Sequence, residues 1–346
     1  MPGAGQALWA HGGMRTVPAA VILDGAGHRW TVVNSGAGLA SVAGMISHLL
    51  ADLPRFIYGT TRLGHQDVPR DRQLAMAHAA LDAGLWMHTS RQYDHALEVL
   101  GAAFAERPDD VPPLIVKLGG GTADDVRATV MENIGPLGID HVAIGQLTPA
   151  GAFADDMVAG GPVLADLRRL RDEGLVGRYV LEIFPWTSAP PLEALRAGHL
   201  DGLVDGVIVY LNPLQRFASN ALWDEIMDRE ISIVSMRTVS GGSVYALRDV
   251  PGAAWRPYLQ QRAVEIAPIF ERSGVDDWTD FCVRFAHSVP HVVSTVGSTS
   301  RPDHLQALLA ASAAPRPLPR DIVDEVLALH RRWSAEVDVH AEPWTM

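Results

Sequence analysis

The sequence predicts a single (β/α)8 barrel with an N-terminal extension and a C-terminal helix. Three observations predict it. Eight short apolar runs recur from residue 56 onward, and amphipathic stretches separate them. The runs are nearly continuous in their apolar character, as parallel strands buried on both faces must be. No Gly-x-Gly-x-x-Gly follows the first run, which disfavours an open, doubly wound dinucleotide-binding sheet. A length of 346 residues is ample, since such barrels need about 250.

Residues 1–55 read as an appendage. VILDGAGHRWTVV (21–33) holds two strand-like runs around Gly-Ala-Gly, which predicts a hairpin, and SVAGMISHLLADL (41–53) predicts a short helix. The barrel is expected over 56–320. Its strands are expected at FIYGT (56–60), GLWMH (84–88), PLIVK (113–117), HVAIGQL (141–147), RYVLEIF (178–184), GVIVYL (206–211), ISIVSM (231–236) and VVSTV (292–296). Between them, stretches such as RQLAMAHAALDAG (72–84) and VLADLRRLRDEG (163–174) carry apolar residues at three- and four-residue spacing, the signature of helices packed on one face. The interval from 237 to 280, between the seventh and eighth strands, is long and holds Trp255 and Trp278; a substrate-covering excursion is expected there. DIVDEVLALHRRWSAEV (321–337) predicts a closing helix, and 321–346 is read as helix plus tail.

Composition narrows the function. Hydrophobic residues are 48% and charged residues 20%, ordinary for a soluble enzyme. A net charge of −12 opposes binding to nucleic acid phosphates. The lone cysteine, Cys282, excludes a disulfide framework and a cysteine-rich metal site. Fourteen histidines are present without a tight metal-ligand spacing, so no metal is expected. No apolar run is long enough to span a bilayer, and the first residues lack a basic start with an apolar core. A cytoplasmic protein without membrane or nucleic acid partners is expected. The abundance of alanine, glycine, proline and arginine suggests a high-GC bacterial gene.

Five segments share an order and spacing: GTTRLG (59–64), LDAGLWMHTSRQYDHALEVLGAAF (81–104), MENIGPLGID (131–140), SMRTVSGG (235–242) and VVSTVGSTSRPDHLQALLAA (292–311). Together they resemble the aldo-keto reductases, over roughly residues 56 to 315. The resemblance implies a TIM barrel that reduces a small carbonyl compound with NADPH. It implies that Tyr93 protonates the carbonyl oxygen and that Lys117 assists it electrostatically. The family's aspartate position holds His88 and its histidine position holds Thr148. On the cofactor side, Gly297, Ser298, Thr299, Ser300 and Arg301 resemble the phosphate loop, Arg301 standing where a cation meets the 2′-phosphate. Arg237 replaces a lysine near the phosphates, and Asn212 matches one contact to the nicotinamide amide. Other contacts depart: the adenine-gripping pair reads Ala307 and Leu308, the Ser-Asn after the fifth strand reads Pro185 and Trp186, and the sixth-strand glutamine reads Ile208.

The departures have physical consequences. Tyrosine ionises near pH 10, so it needs an adjacent cation to work near neutrality. With no carboxylate at position 88, the Lys117 pKa is expected to fall, and a neutral amine is a nucleophile toward carbonyls. His88 is a candidate proton carrier titrating near pH 6.5. Trp186 is a candidate for the substrate pocket, by stacking or by filling vacated space; the plainer reading is a rim aromatic. For Arg237 the plainer reading is a structural ion pair, and for Gly119–Gly121 a flexible loop rather than an anion nest. Two alternative functions therefore stand beside reduction. One is cofactor-independent acid-base or lysine-imine chemistry as a lyase, dehydratase, isomerase or cyclase. The other is a non-catalytic binding protein.

Overall fold

The computed structural model describes residues 21–23, 29–31 and 50–336. The chain divides into two compact units, Met1–Val42 and Ala43–Met346. In the first, Val21–Leu23 pairs antiparallel with Arg29–Thr31, Ile22 facing Trp30. Of the helix expected over 41–53, residues 41–49 lie outside the described residues, and 50–53 form a turn.

All eight expected barrel strands form. They are β1 (Phe56–Gly59), β2 (Met87–Thr89), β3 (Leu114–Gly119), β4 (Val142–Leu147), β5 (Val176–Ile183), β6 (Gly206–Asn212), β7 (Ile233–Met236) and β8 (Val292–Ser298). Their spatial order is β7-β8-β1-β2-β3-β4-β5-β6, and the β6–β7 pairing closes the circle. Every barrel pairing is parallel. Short βα connections and right-handed crossovers make this closure the natural outcome of eight such repeats.

Among the described residues the helices are α1 (Arg70–Asp82), α2 (Ala96–Glu106), α3 (Ala123–Leu137), α4 (Gly151–Ala159), α5 (Pro162–Asp172) and α6 (Ala189–Arg196). They continue with α7 (Asn220–Asp228), α8 (Val244–Asp249), α9 (Pro257–Arg272), α10 (Trp278–Ser288), α11 (Pro302–Ala313) and α12 (Arg320–Glu336). Local chemistry sets their ends. Thr122 and Asp125 form a reciprocal capping box at the start of α3, and Gly138 ends it in the left-handed region at φ 67°. Where α2 passes α3 the backbones touch: a Cβ on Gly101 would sit 2.1 Å from the Pro136 carbonyl oxygen.

The long excursion after β7 is mostly helical. It contains α8, α9 and the start of α10, so its irregular parts are the segments flanking α8. The closing helix forms as expected, with Ile322, Val323, Val326 and Trp333 buried against the barrel wall. No helix among the described residues is long and apolar enough to cross a membrane.

Candidate active site

At the C-terminal ends of the strands lies an open cavity of about 660 Å³. Its walls include Tyr93, Lys117 and His88 on one side and Gly297, Ser298 and Arg237 on the other. Residues more than two hundred positions apart thus meet where barrels place their chemistry.

Tyr93 sits in the turn after β2. Its amide donates to the Ser90 carbonyl at 3.1 Å, and its carbonyl accepts from Ala96 at the start of α2 at 2.8 Å. Lys117, the only lysine in the sequence, projects from β3 with its ammonium 5.9 Å from the Tyr93 ring centre. The His88 and Tyr93 rings are 5.9 Å apart.

The structure corrects the expectation for Lys117. A carboxylate does face it, supplied by β5: Lys117 Nζ donates to Glu182 Oε1 at 2.8 Å. The other carboxylate oxygen accepts from Thr148 Oγ1 at 2.9 Å. Burial alone lowers the pKa of Lys117, but the Glu182 charge, with Tyr93, reverses this and the net shift is upward. The amine is therefore held protonated and is a poor nucleophile. Burial raises the Tyr93 phenol, while Lys117 and a hydrogen bond with Thr61 oppose that without cancelling it.

His88 is also corrected. Burial and the nearby Lys117 charge lower its pKa to about 4, so it is neutral at physiological pH and carries no proton near 6.5. Its Nε2 is hydrogen-bonded to the Gln146 side-chain amide at 2.7 Å.

Thr148 points to Glu182 rather than standing alone on the cavity wall. The triple glycine explains its placement. A Cβ on Gly120 would come 2.4 Å from the Thr148 carbonyl oxygen, and Thr148 donates its amide to Gly119 at 2.8 Å. Gly120 permits this close backbone approach, and Gly119 takes a positive φ of 68° beside it.

Beside Gly297, its register partner in the sheet, the buried Tyr58 of β1 donates to the Thr299 carbonyl at 2.7 Å, and Thr299 Oγ1 accepts from the Arg301 amide at 3.0 Å. These bonds fix the turn from β8 into α11. Gly297 has no room for a side chain, since a Cβ would lie 3.0 Å from Phe56 and 3.1 Å from Leu308. Its backbone therefore faces the cavity. Helix α11 starts without a side-chain cap; its first residue, Pro302, brings no N–H, and the His304 amide meets the Asp303 carboxylate. Of the expected phosphate loop, Gly297 and Ser298 line the cavity, while Thr299, Ser300 and Arg301 lie beyond the lining; the exposed Arg301 is paired with Asp303 at 2.6 Å.

Arg237 has no carboxylate partner among the described residues, which corrects the ion-pair reading. Its guanidinium is held between the rings of Tyr210, 5.0 Å away, and Trp255, 4.5 Å away. Its backbone sits at φ 49°, an unusual conformation for arginine. Asn212 stabilises that turn and does not line the cavity. Its amide nitrogen donates to the Arg237 carbonyl at 2.9 Å and to Gln215 at 3.1 Å, and its oxygen accepts from the Leu214 amide, so both of its N–H donors are used within the protein. Trp186 is likewise away from the cavity lining, stacked on Phe184 at 4.9 Å.

Sequence reasoning missed Glu182, Gln146 and Tyr58. Glu182 and Gln146 carried a signal: Gln146 is a lone polar residue in an apolar strand, and Glu182 is an acid inside the apolar stretch Tyr179–Ile183. Tyr58 read simply as core.

The sequence matches the aldo/keto reductase family over residues 55–330. The chain belongs to that family. An aldo-keto reductase from Bacillus halodurans in its holo form shares 17% identity, with 80% of this chain and 95% of that one covered and a TM-score of 0.61. An aldo-keto reductase from Klebsiella pneumoniae in complex with NADP and acetate shares 17% identity over 81% and 92% of the two chains, at a TM-score of 0.59. A Klebsiella pneumoniae aldo-keto reductase in complex with NADPH shares 16% identity over 81% and 92%, at 0.57. At such identities the likeness to these aldo-keto reductases is one of fold. The search of curated proteins finds no match.

Proposed function

We propose that the protein reduces a small carbonyl compound with NADPH, with Tyr93 as the proton donor. One observation carries this reading: the Tyr93 phenol and the Lys117 ammonium line the same cavity as the Gly297–Ser298 turn. A proton donor and a phosphate-binding turn are thereby brought together.

The residues present fit the cofactor at its phosphates. Gly297 offers backbone without a side chain, Ser298 a hydroxyl, and Arg237 an oriented cation. Arg301 is the expected partner of a 2′-phosphate; its exposed pairing with Asp303 costs little to exchange. When bound, the cofactor supplies the hydride. Tyr93 supplies the proton to the carbonyl oxygen. Its phenol, kept protonated by burial, holds that proton at neutral pH until negative charge develops on the substrate oxygen. The Lys117 ammonium then stabilises the phenolate left behind. Neutral His88 shapes the floor beside Tyr93 without adding charge. Imine formation at Lys117 is disfavoured, because its lone pair is engaged by a proton that Glu182 holds in place.

Titrating the protein with NADPH while following tryptophan fluorescence is expected to give saturable quenching. Absence of any change at high micromolar cofactor sinks this reading. Tyr93→Phe is expected to lower kcat by about 10²- to 10⁴-fold while leaving NADPH binding intact.

A further inference from the structure

We propose that Glu182 is the positioning residue that fixes the charge of Lys117, replacing from strand β5 a carboxylate absent at position 88, and that Thr148 aims it. The inference rests on the functional reading above for its catalytic meaning, but its geometry stands apart from that reading.

Three features converge on it. Lys117 and Gln146 are register neighbours, as are Gln146 and Val180, and Glu182 lies two residues beyond Val180 on the same face of β5. A glutamate projecting inward from β5 can thus span the strand between and reach Lys117. The carboxylate is 3% exposed, and burying it without a partner is costly, so its contacts are decisive. Both oxygens are used, one by the ammonium and one by the Thr148 hydroxyl. The close approach of Gly120 to the Thr148 carbonyl and the bond from the Thr148 amide to Gly119 hold the backbone from which that hydroxyl projects. His88, neutral and held by Gln146, leaves Glu182 as the acid that meets this ammonium.

Because Lys117 is the only lysine, the test is direct. The full-length protein is acetylated with acetic anhydride over a range of pH, and adducts at Lys117 are read by mass spectrometry against the N-terminal amine. Wild type is expected to resist labelling until well above the ordinary lysine midpoint of about 10.4. Glu182→Gln is expected to label with a midpoint at least about one pH unit lower. Coincident curves for the two proteins overturn the proposal. If Glu182→Gln fails to fold, the wild-type curve decides: a midpoint at or below the ordinary value overturns it. Thr148→Val is expected to fall between the two, and a curve identical to wild type removes Thr148 from the assignment. In carbonyl reduction, Glu182→Gln is expected to lose kcat at a lower pH than wild type, with KM for NADPH unchanged. A labelling shift without any carbonyl reduction sinks the functional reading and leaves the Glu182–Lys117 pair standing.

Discussion

The neutral ring of His88 sits beside a buried ion pair, Lys117 with Glu182. His88 is buried, and its pKa of about 4 lies below the unfolded value of about 6.5. As pH falls through that window, the unfolded chain takes up a proton that the folded chain refuses, so stability is lost on acidification. The contribution is about 3 kcal/mol between pH 7 and pH 4. His88→Gln removes it, and the stability advantage of wild type over the variant is expected to shrink by that amount over the same range. Denaturant unfolding at the two pH values measures this; a constant difference refutes the placement of a neutral His88. The residue types at 88, 93, 117 and 148 were legible as a motif. Their charge states were not, because Glu182 lies 65 positions from Lys117 and only the barrel brings them together.

Among the elements, the strands were the most legible. Each apolar run became a strand because a parallel barrel buries both faces, which favours apolar side chains. Those runs also carry buried polar side chains, His88, Gln146, Glu182, Ser235, Ser294 and Thr295 among them, and each that is hydrogen-bonded has a partner inside the barrel or at its ends. The excursion after β7 was read as a loop but folds largely as α8 and α9, whose apolar spacing was obscured by Pro251 and Pro257. The Leu100–Gly101 pair was visible as part of a motif, but its reason is a contact between α2 and α3. A Cβ at 101 meets the Pro136 oxygen at 2.1 Å, so one helix must move. Gly101→Ala is expected to destabilise the fold by about 1–3 kcal/mol, as overpacking does. The urea midpoint should fall with an unchanged slope; an unshifted midpoint contradicts that contact. Because α2 begins on the carbonyl of Tyr93, the same variant should also perturb the phenol's position.

At the scale of the molecule, overall charge and local charge oppose each other. The protein carries a net charge of −12, yet its cavity is lined by Lys117, Arg62 and Arg237 without a lining carboxylate among the described residues. Net repulsion predicts that added salt tightens the binding of anionic NADPH, whereas the local cations predict that it weakens it. The local effect is expected to win, since a phosphate held at the Gly297–Ser298 turn would share its cavity with Arg62 and Arg237, while Lys117 is offset by Glu182. Fluorescence titrations at low and high ionic strength are expected to show Kd rising several-fold; a falling Kd identifies the net charge as dominant and places the phosphates elsewhere. The sequence by itself determined the strand count, the barrel, the family, and the presence of Tyr93, Lys117 and the Gly297–Arg301 turn, because apolar periodicity and local turn chemistry are properties of neighbouring residues. Only the tertiary structure decided the pairing of Glu182 with Lys117, the neutrality of His88, the aromatic clamp on Arg237, and the placement of Asn212 and Trp186 away from the cavity lining. Electrostatics and burial are set by distance in space, and a closed barrel makes neighbours of side chains that the chain order keeps far apart.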